Sequence, residues 1–158
     1  MTAGYSGKGL AAKLGIKTGS TVLVQDAPRP YPQILDPIPD GVQLVTSTRT
    51  ASVIHIFVTR RSVLARHLQR NRQTMATDAA LWVSWPKRSA KVSTDITEDV
   101  IRELCLPLGL VDIKVCAVDE TWSGLKLVIR KELRDAVKSN RAAGTKSTGS
   151  KKRPGRKG

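Results

Sequence analysis

A chain of 158 residues is long enough for one domain with a core that needs no disulfides, and its two cysteines, Cys105 and Cys116, cannot build a disulfide framework. No close-spaced His or Cys cluster suggests a metal, no run approaches the roughly 20 apolar residues that cross a bilayer, and the start lacks a signal-peptide core, so a cytoplasmic protein without metal or membrane contact is expected. The net charge of +14 excludes a chain tuned to cationic partners and points toward polyanions.

In chain order, Lys8 to Leu14 reads as a short helix stopped by Gly15, and Thr21 to Gln25, TVLVQ, as a first strand buried on both faces. Pro28, Pro30, Pro32, Pro37 and Pro39 then limit any helix to about a turn over Tyr31 to Leu35. Val42 to Thr46 is a second, shorter strand. The link from Ser47 to Ala51 is too short for a helical crossover, so this strand is an edge strand of open direction. Ser52 to Val58, SVIHIFV, is the third strand. Arg61 to Met75 follows as a helix with Leu64, Leu68 and Met75 on its apolar stripe.

Leu81 to Trp85 is the fourth strand. Asp95 with Glu98 three residues on has the spacing of a capping box, opening a helix that buries Ile96, Val100, Ile101 and Leu104 and ends at Pro107 and Gly109. Val111 to Val118 and Leu125 to Arg130 are the last strands. DETWSG between them is too short for a parallel crossover, so they pair antiparallel or straddle a partner. Strands alternating with helices define an α/β fold: a small three-layer sandwich with a mostly parallel sheet of about six strands and an antiparallel last strand.

Residues 1–137 form this domain. Of the net charge of +14, eight units belong to residues 138–158, which contain no Asp or Glu; this leaves +6 for the domain. The tail, rich in Gly, Ser and Lys, is read as disordered. Lys146, Lys151, Lys152, Arg153, Arg156 and Lys157 are its candidate contacts to nucleic acid or another polyanion, by counterion release. A purely solubilising tail is the other reading.

The stretch LWVSWPKRSAKVSTDITEDVIRELCLPLGLVDIKVCAVDETWSGLKLVIRKEL, from Leu81 to Leu133, resembles a bacterial family of domains without an assigned activity, as does GYSGKGLAAKLGIKTGSTVLV near the start. The likeness covers residues 4–134. It implies a Rossmann-like domain similar in outline to class I methyltransferases, whose sheet also ends in an antiparallel hairpin, and it implies no activity.

Such enzymes hold S-adenosylmethionine against a glycine-rich turn after the first strand. Here QDAPRPYP, from Gln25 to Pro32, has no glycine, and GYSGKGL matches neither the dinucleotide nor the P-loop pattern, so no cofactor is assigned. Ligands of open α/β sheets bind beyond the carboxyl ends of the parallel strands. Asp26, Arg60, Trp85, Lys87, Lys91, Glu120 and Trp122 are therefore the candidate ligand-binding residues, in a rim suited to a small anion. Lys87 and Arg60, ending neighbouring strands about 4.8 Å apart, should face one crevice, with Asp26 as an offsetting carboxylate. Against this stands a solvated loop over a packed Trp85.

Arg60, Arg61, Arg66, Arg70 and Arg72 lie on or beside the third-strand helix with no carboxylate nearby, a face suited to phosphates or simply to water. His55, inside an apolar strand, reads as a hydrogen-bonded core histidine; His67 lies on a polar helix face. Cys105 and Cys116 read as small apolar groups. Asp119 and Glu120 are adjacent and make no acid–base pair, and no catalytic residue is assigned. The leading function is binding of an anionic partner, nucleotide or nucleic acid, rather than catalysis. The alternative is a small-molecule transferase, a degenerate methyltransferase.

Overall fold

The computed structural model describes residues 9–134; the start of the first helix at Lys8 and the basic tail of residues 138–158 lie outside the described residues. Helix α1, Leu10–Leu14, buries Leu10, Ala11 and Leu14 and stops at Gly15, whose φ of 79° lets its N–H reach Ala12 O while Ile16 N–H reaches Ala11 O. Strand β1, Thr21–Gln25, sends Val22 to one face of the sheet and Leu23 to the other. Prolines shape α2, Tyr31–Leu35: Pro30 sits at its N-cap and Pro32 in its first turn, and it buries Tyr31, Ile34 and Leu35.

Strand β2 is reduced to Gln43–Leu44 and both its residues are exposed. It runs parallel to β1 and does not touch β3, Val53–Phe57, which pairs with β1 on the other side. The short link after β2 therefore steps across β1, which resolves the direction that spacing left open. Helix α3, Arg61–Thr74, leads to β4, Ala80–Pro86, parallel to β3. Helix α4, Glu98–Cys105, precedes β5, Leu110–Ala117, and β6, Trp122–Ile129.

The sheet order is β2-β1-β3-β4-β6-β5. Strand β6 lies between β4 and β5 and pairs antiparallel with both, so β5 again runs with the parallel set. A register shift between Asp112 and Lys114 bulges the edge strand, which breaks the burial alternation along β5.

Two cores sandwich the sheet. Ile54, Ile56, Leu81 and Val83 pack with Leu64, Leu68, Ile101 and Cys105 from α3 and α4. Val22, Val53, Phe57 and Trp82 pack with Leu10, Leu14, Tyr31 and Leu35 from α1 and α2. Trp82 is locked by its indole N–H, which donates to Leu14 O at 3.0 Å. Gly124 lies under it; a Cβ there would meet Trp82 Cε3 at 3.3 Å and Val118 Cγ2 at 3.2 Å.

Candidate ligand-binding rim

The carboxyl ends of β1, β3 and β4 present the rim. Directly after β1, Asp26 takes a left-handed conformation, φ 62°, unusual for a residue with a side chain. Its Oδ2 lies 2.8 Å from Nε2 of His67 on α3. One residue earlier, Gln25 and Asn71 exchange amide hydrogen bonds: Gln25 Nε2 donates to Asn71 Oδ1 at 3.2 Å, and Asn71 Nδ2 donates to Gln25 Oε1 at 2.9 Å. These two ties pin the end of β1 to α3. Both pairs join residues far apart in sequence, so no local pattern announced them.

The loop after β4 folds back over the end of β3. Thr94 Oγ1 donates to Thr59 O at 2.7 Å, and Asp95 Oδ1 accepts the Arg61 N–H at 2.6 Å. Asp95 therefore caps α3, not α4, which corrects the capping box read from spacing. Thr97 caps α4 by accepting the Val100 N–H at 3.2 Å. The reason is tertiary: the α3 N-cap, Arg60, makes no side-chain cap, and the free Arg61 N–H recruits the Asp95 carboxylate from the loop after β4.

Arg60 is exposed at the N-cap of α3, and Lys87 is half-buried with its N–H donating to Thr121 O at 2.7 Å. Lys91 and Glu120 are exposed; Lys91 has φ 56°. Trp85 is 8% exposed and belongs to the α3–α4 core. Trp122 is half-buried, its ring edge-on to Phe57 at 5.3 Å. Asp119 Oδ1 accepts the N–H groups of Thr121 and Trp122, both at 2.8 Å, and its Oδ2 pairs with Arg29 at 3.1 Å.

Beside Trp85 lies a groove of about 610 Å³, with Arg88, Val92, Glu98, Asp99 and Arg102 in its walls. Of the seven candidate residues, Trp85 lines it and the other six do not. Its charge is mixed. Arg102 is held by three carboxylates: Glu98 at 2.9 Å, Asp99 at 3.0 Å and Asp112 at 2.9 Å. The Asp112 hydrogen bond, foremost among these contacts, raises the guanidinium pKa further. The first turn of α4 already holds Glu98 and Asp99, so its N-terminus offers little to an anion.

Under α2 the structure holds a buried polar chain. Tyr31 Oη and His55 Nδ1 lie 2.7 Å apart, and His55 Nε2 and Ser84 Oγ are also 2.7 Å apart. The His55 ring stacks on Phe57 at 4.3 Å. His55 and Ser84 are fully buried and Tyr31 is 3% exposed. Burial lowers the His55 pKa from 6.5 to about 3 and pushes the Tyr31 hydroxyl up, so both stay neutral. His55 is thus a satisfied core histidine that ties α2 to the sheet.

The topology and the paired last strands define a Rossmann-like α/β domain with a methyltransferase-like outline. No family model matches the chain, and no curated protein does either. Among solved structures it is similar to a SAM-dependent methyltransferase from Aquifex aeolicus, with 15% identity over 77% of this chain and 88% of the other, at a TM-score of 0.54. It is also similar to a type 11 methyltransferase candidate from Sulfolobus solfataricus, with 10% identity over 77% of this chain and 90% of the other, at a TM-score of 0.50.

The residues after β1 do not fit the donor of those enzymes. Pro28, Pro30 and Pro32 contribute no N–H, no glycine opens the turn, and the Asp26 carboxylate is engaged by His67.

Proposed function

We propose that this domain uses the methyltransferase-like fold as a scaffold for binding nucleic acid along the outer face of α3, rather than for methyl transfer. One observation carries the reading. Arg66 and Arg70 stand one turn apart on α3, both exposed, flanked by exposed Ser62, Gln69 and Gln73, and α3 contains no Asp or Glu. Neither arginine enters any ion pair among the described residues. Two arginines one turn apart, without an ion-pair partner among the described residues, are spaced to reach successive phosphates of one strand. The eight cations of residues 138–158 would add affinity without sequence preference.

The test is fluorescence anisotropy with a labelled duplex, measured across a salt series. Arg66→Gln with Arg70→Gln should reduce the log–log salt slope by about 2, close to 0.9 per lost phosphate contact. An unchanged slope in that variant, with binding abolished by truncation before Lys138, would move the contact to the tail and refute the α3 reading.

The alternative, transfer of a methyl group to a small molecule, is favoured by fold likeness alone. Calorimetric titration with S-adenosylmethionine separates the two. Saturable binding would favour the transferase, and none is expected.

A further inference from the structure

A second groove, of about 430 Å³, opens at the opposite, amino-terminal edge of the sheet. Buried Leu14 and Val53 help form its wall, and Lys17, Ser20, Asp78 and Lys126 bring polar groups to it. Lys17 to Ser20 is a turn closed by Ser20 N–H donating to Lys17 O at 3.0 Å. Ser20 Oγ in turn accepts the Lys17 N–H at 2.9 Å, which leaves its own O–H to donate.

Lys126 reaches this place because of the sheet register. It pairs with Trp82 of β4, on the face that α1 covers, and stands directly opposite Lys114 of β5. Like charges directly opposite in an antiparallel pair destabilise it. Lys17, Lys114 and Lys126 enter no ion pair among the described residues, and Asp78 is the only acid in the groove wall. Positive charge drawn together from a turn and two strands, against the interest of the fold, is relieved by a multiply charged anion.

We propose that this groove binds a pyrophosphate-bearing ligand, held by the Lys17 and Lys126 ammonium groups and the Ser20 hydroxyl, with Lys114 opposite Lys126 on β5 adding positive charge. Two cations on different walls suit two linked phosphates better than one, and the volume exceeds what a single phosphate fills. The site is separate from α3 and does not rest on nucleic-acid binding.

The experiment is calorimetric titration of the full chain with inorganic pyrophosphate, and in a second arm with ADP. Lys17→Gln and Lys126→Gln should each weaken pyrophosphate binding about tenfold, the loss of one charge-assisted contact. Asp78→Asn should tighten it, and Arg66→Gln with Arg70→Gln should leave it unchanged. The tail cations are present in every variant, so the differences belong to the groove. Lys17 lies on an exposed turn, which keeps the test sound if Lys126→Gln perturbs the sheet. Lys126→Gln should also raise the thermal midpoint of the ligand-free protein by removing the repulsion with Lys114. Tighter binding of ADP than of pyrophosphate identifies a nucleotide as the source of the phosphates, and equal binding identifies free pyrophosphate. Absence of binding, or equal pyrophosphate affinity in the parent, Lys17→Gln and Lys126→Gln proteins, overturns the proposal.

Discussion

Acidification should destabilise the domain in a pH window set by His55. Its pKa is about 3 in the folded protein against 6.5 in the open chain. The folded value is the lower one, so between those pH values the unfolded chain binds a proton that the native state refuses. Stability from this group is complete above about pH 6.5 and is lost as pH falls toward 3, with a slope of about 1.4 kcal/mol per pH unit. By pH 5 the loss is about 2 kcal/mol, a substantial part of the 5–15 kcal/mol typical of a domain. Ordinary carboxylates titrate near pH 4, so they stay charged across the interval from 6.5 to 5, and the His67→Gln control separates the two histidines. The assay is urea unfolding at constant ionic strength from pH 7 to 5. The midpoint should fall steadily in the parent protein and in the His67→Gln control. In His55→Gln the free energy should be lower at pH 7 yet vary by less than about 0.5 kcal/mol across the window, because the buried imidazole that resists protonation is gone. A flat parent profile, or the same slope in His55→Gln, would refute a neutral, buried Tyr31–His55–Ser84 chain.

Asp95→Ala should destabilise the domain by about 1–2 kcal/mol and lower hydrogen-exchange protection in the first turn of α3, whereas Thr97→Ala should cost about 1 kcal/mol and act on α4. Loss of protection at α4 in Asp95→Ala would reinstate the capping box. Gly124→Ala should lower stability by about 1–3 kcal/mol, since Trp82 is tethered to Leu14 O and cannot give way to the added methyl. An unchanged thermal midpoint would show that the Trp82 packing has slack.

Local chemistry read well where it was self-contained. TVLVQ is a strand to the residue, and Tyr31 to Leu35 is a helix to the residue, because prolines bracket it and leave only one turn. The length of DETWSG excluded a parallel crossover and left an antiparallel pair or strands straddling a partner, of which the structure forms the pair. Reading failed where two local solutions competed and a distant element chose between them. Within DITE, Asp95 has the capping-box spacing to Glu98, but α3 claimed Asp95 and Thr97 made the α4 cap. The rim was legible as a set of strand ends but not as chemistry. Asp26 met His67 across 41 positions, and His55 met Tyr31 and Ser84 across 24 and 29. The Lys114–Lys126 pairing was invisible for the same reason, since the two meet only through the β5–β6 register.

These partnerships bear on where the molecule can bind anything. At the carboxyl rim, where open α/β sheets place their ligands, several polar groups pair with one another, Asp26 with His67, Asp95 with the α3 N–H, Arg29 with Asp119, and Arg102 with three acids, while Arg60, Lys87 and Lys91 enter no ion pair among the described residues. A ligand that reaches the paired groups must displace internal hydrogen bonds that already satisfy their donors, so its net gain there is small. Arg66 and Arg70 on α3, and Lys17 and Lys126 at the amino-terminal edge, have no ion-pair partner among the described residues, and an anion meeting them displaces water and screening ions. Binding in this domain is therefore expected on those two surfaces before it is expected in the crevice of the fold. Chloride titration of thermal stability tests the ordering: salt should stabilise the parent protein by relieving lysine repulsion, and less so Lys126→Gln. A parent protein that salt destabilises would mean that its internal ion pairs outweigh the uncompensated cations, and the ordering would fail.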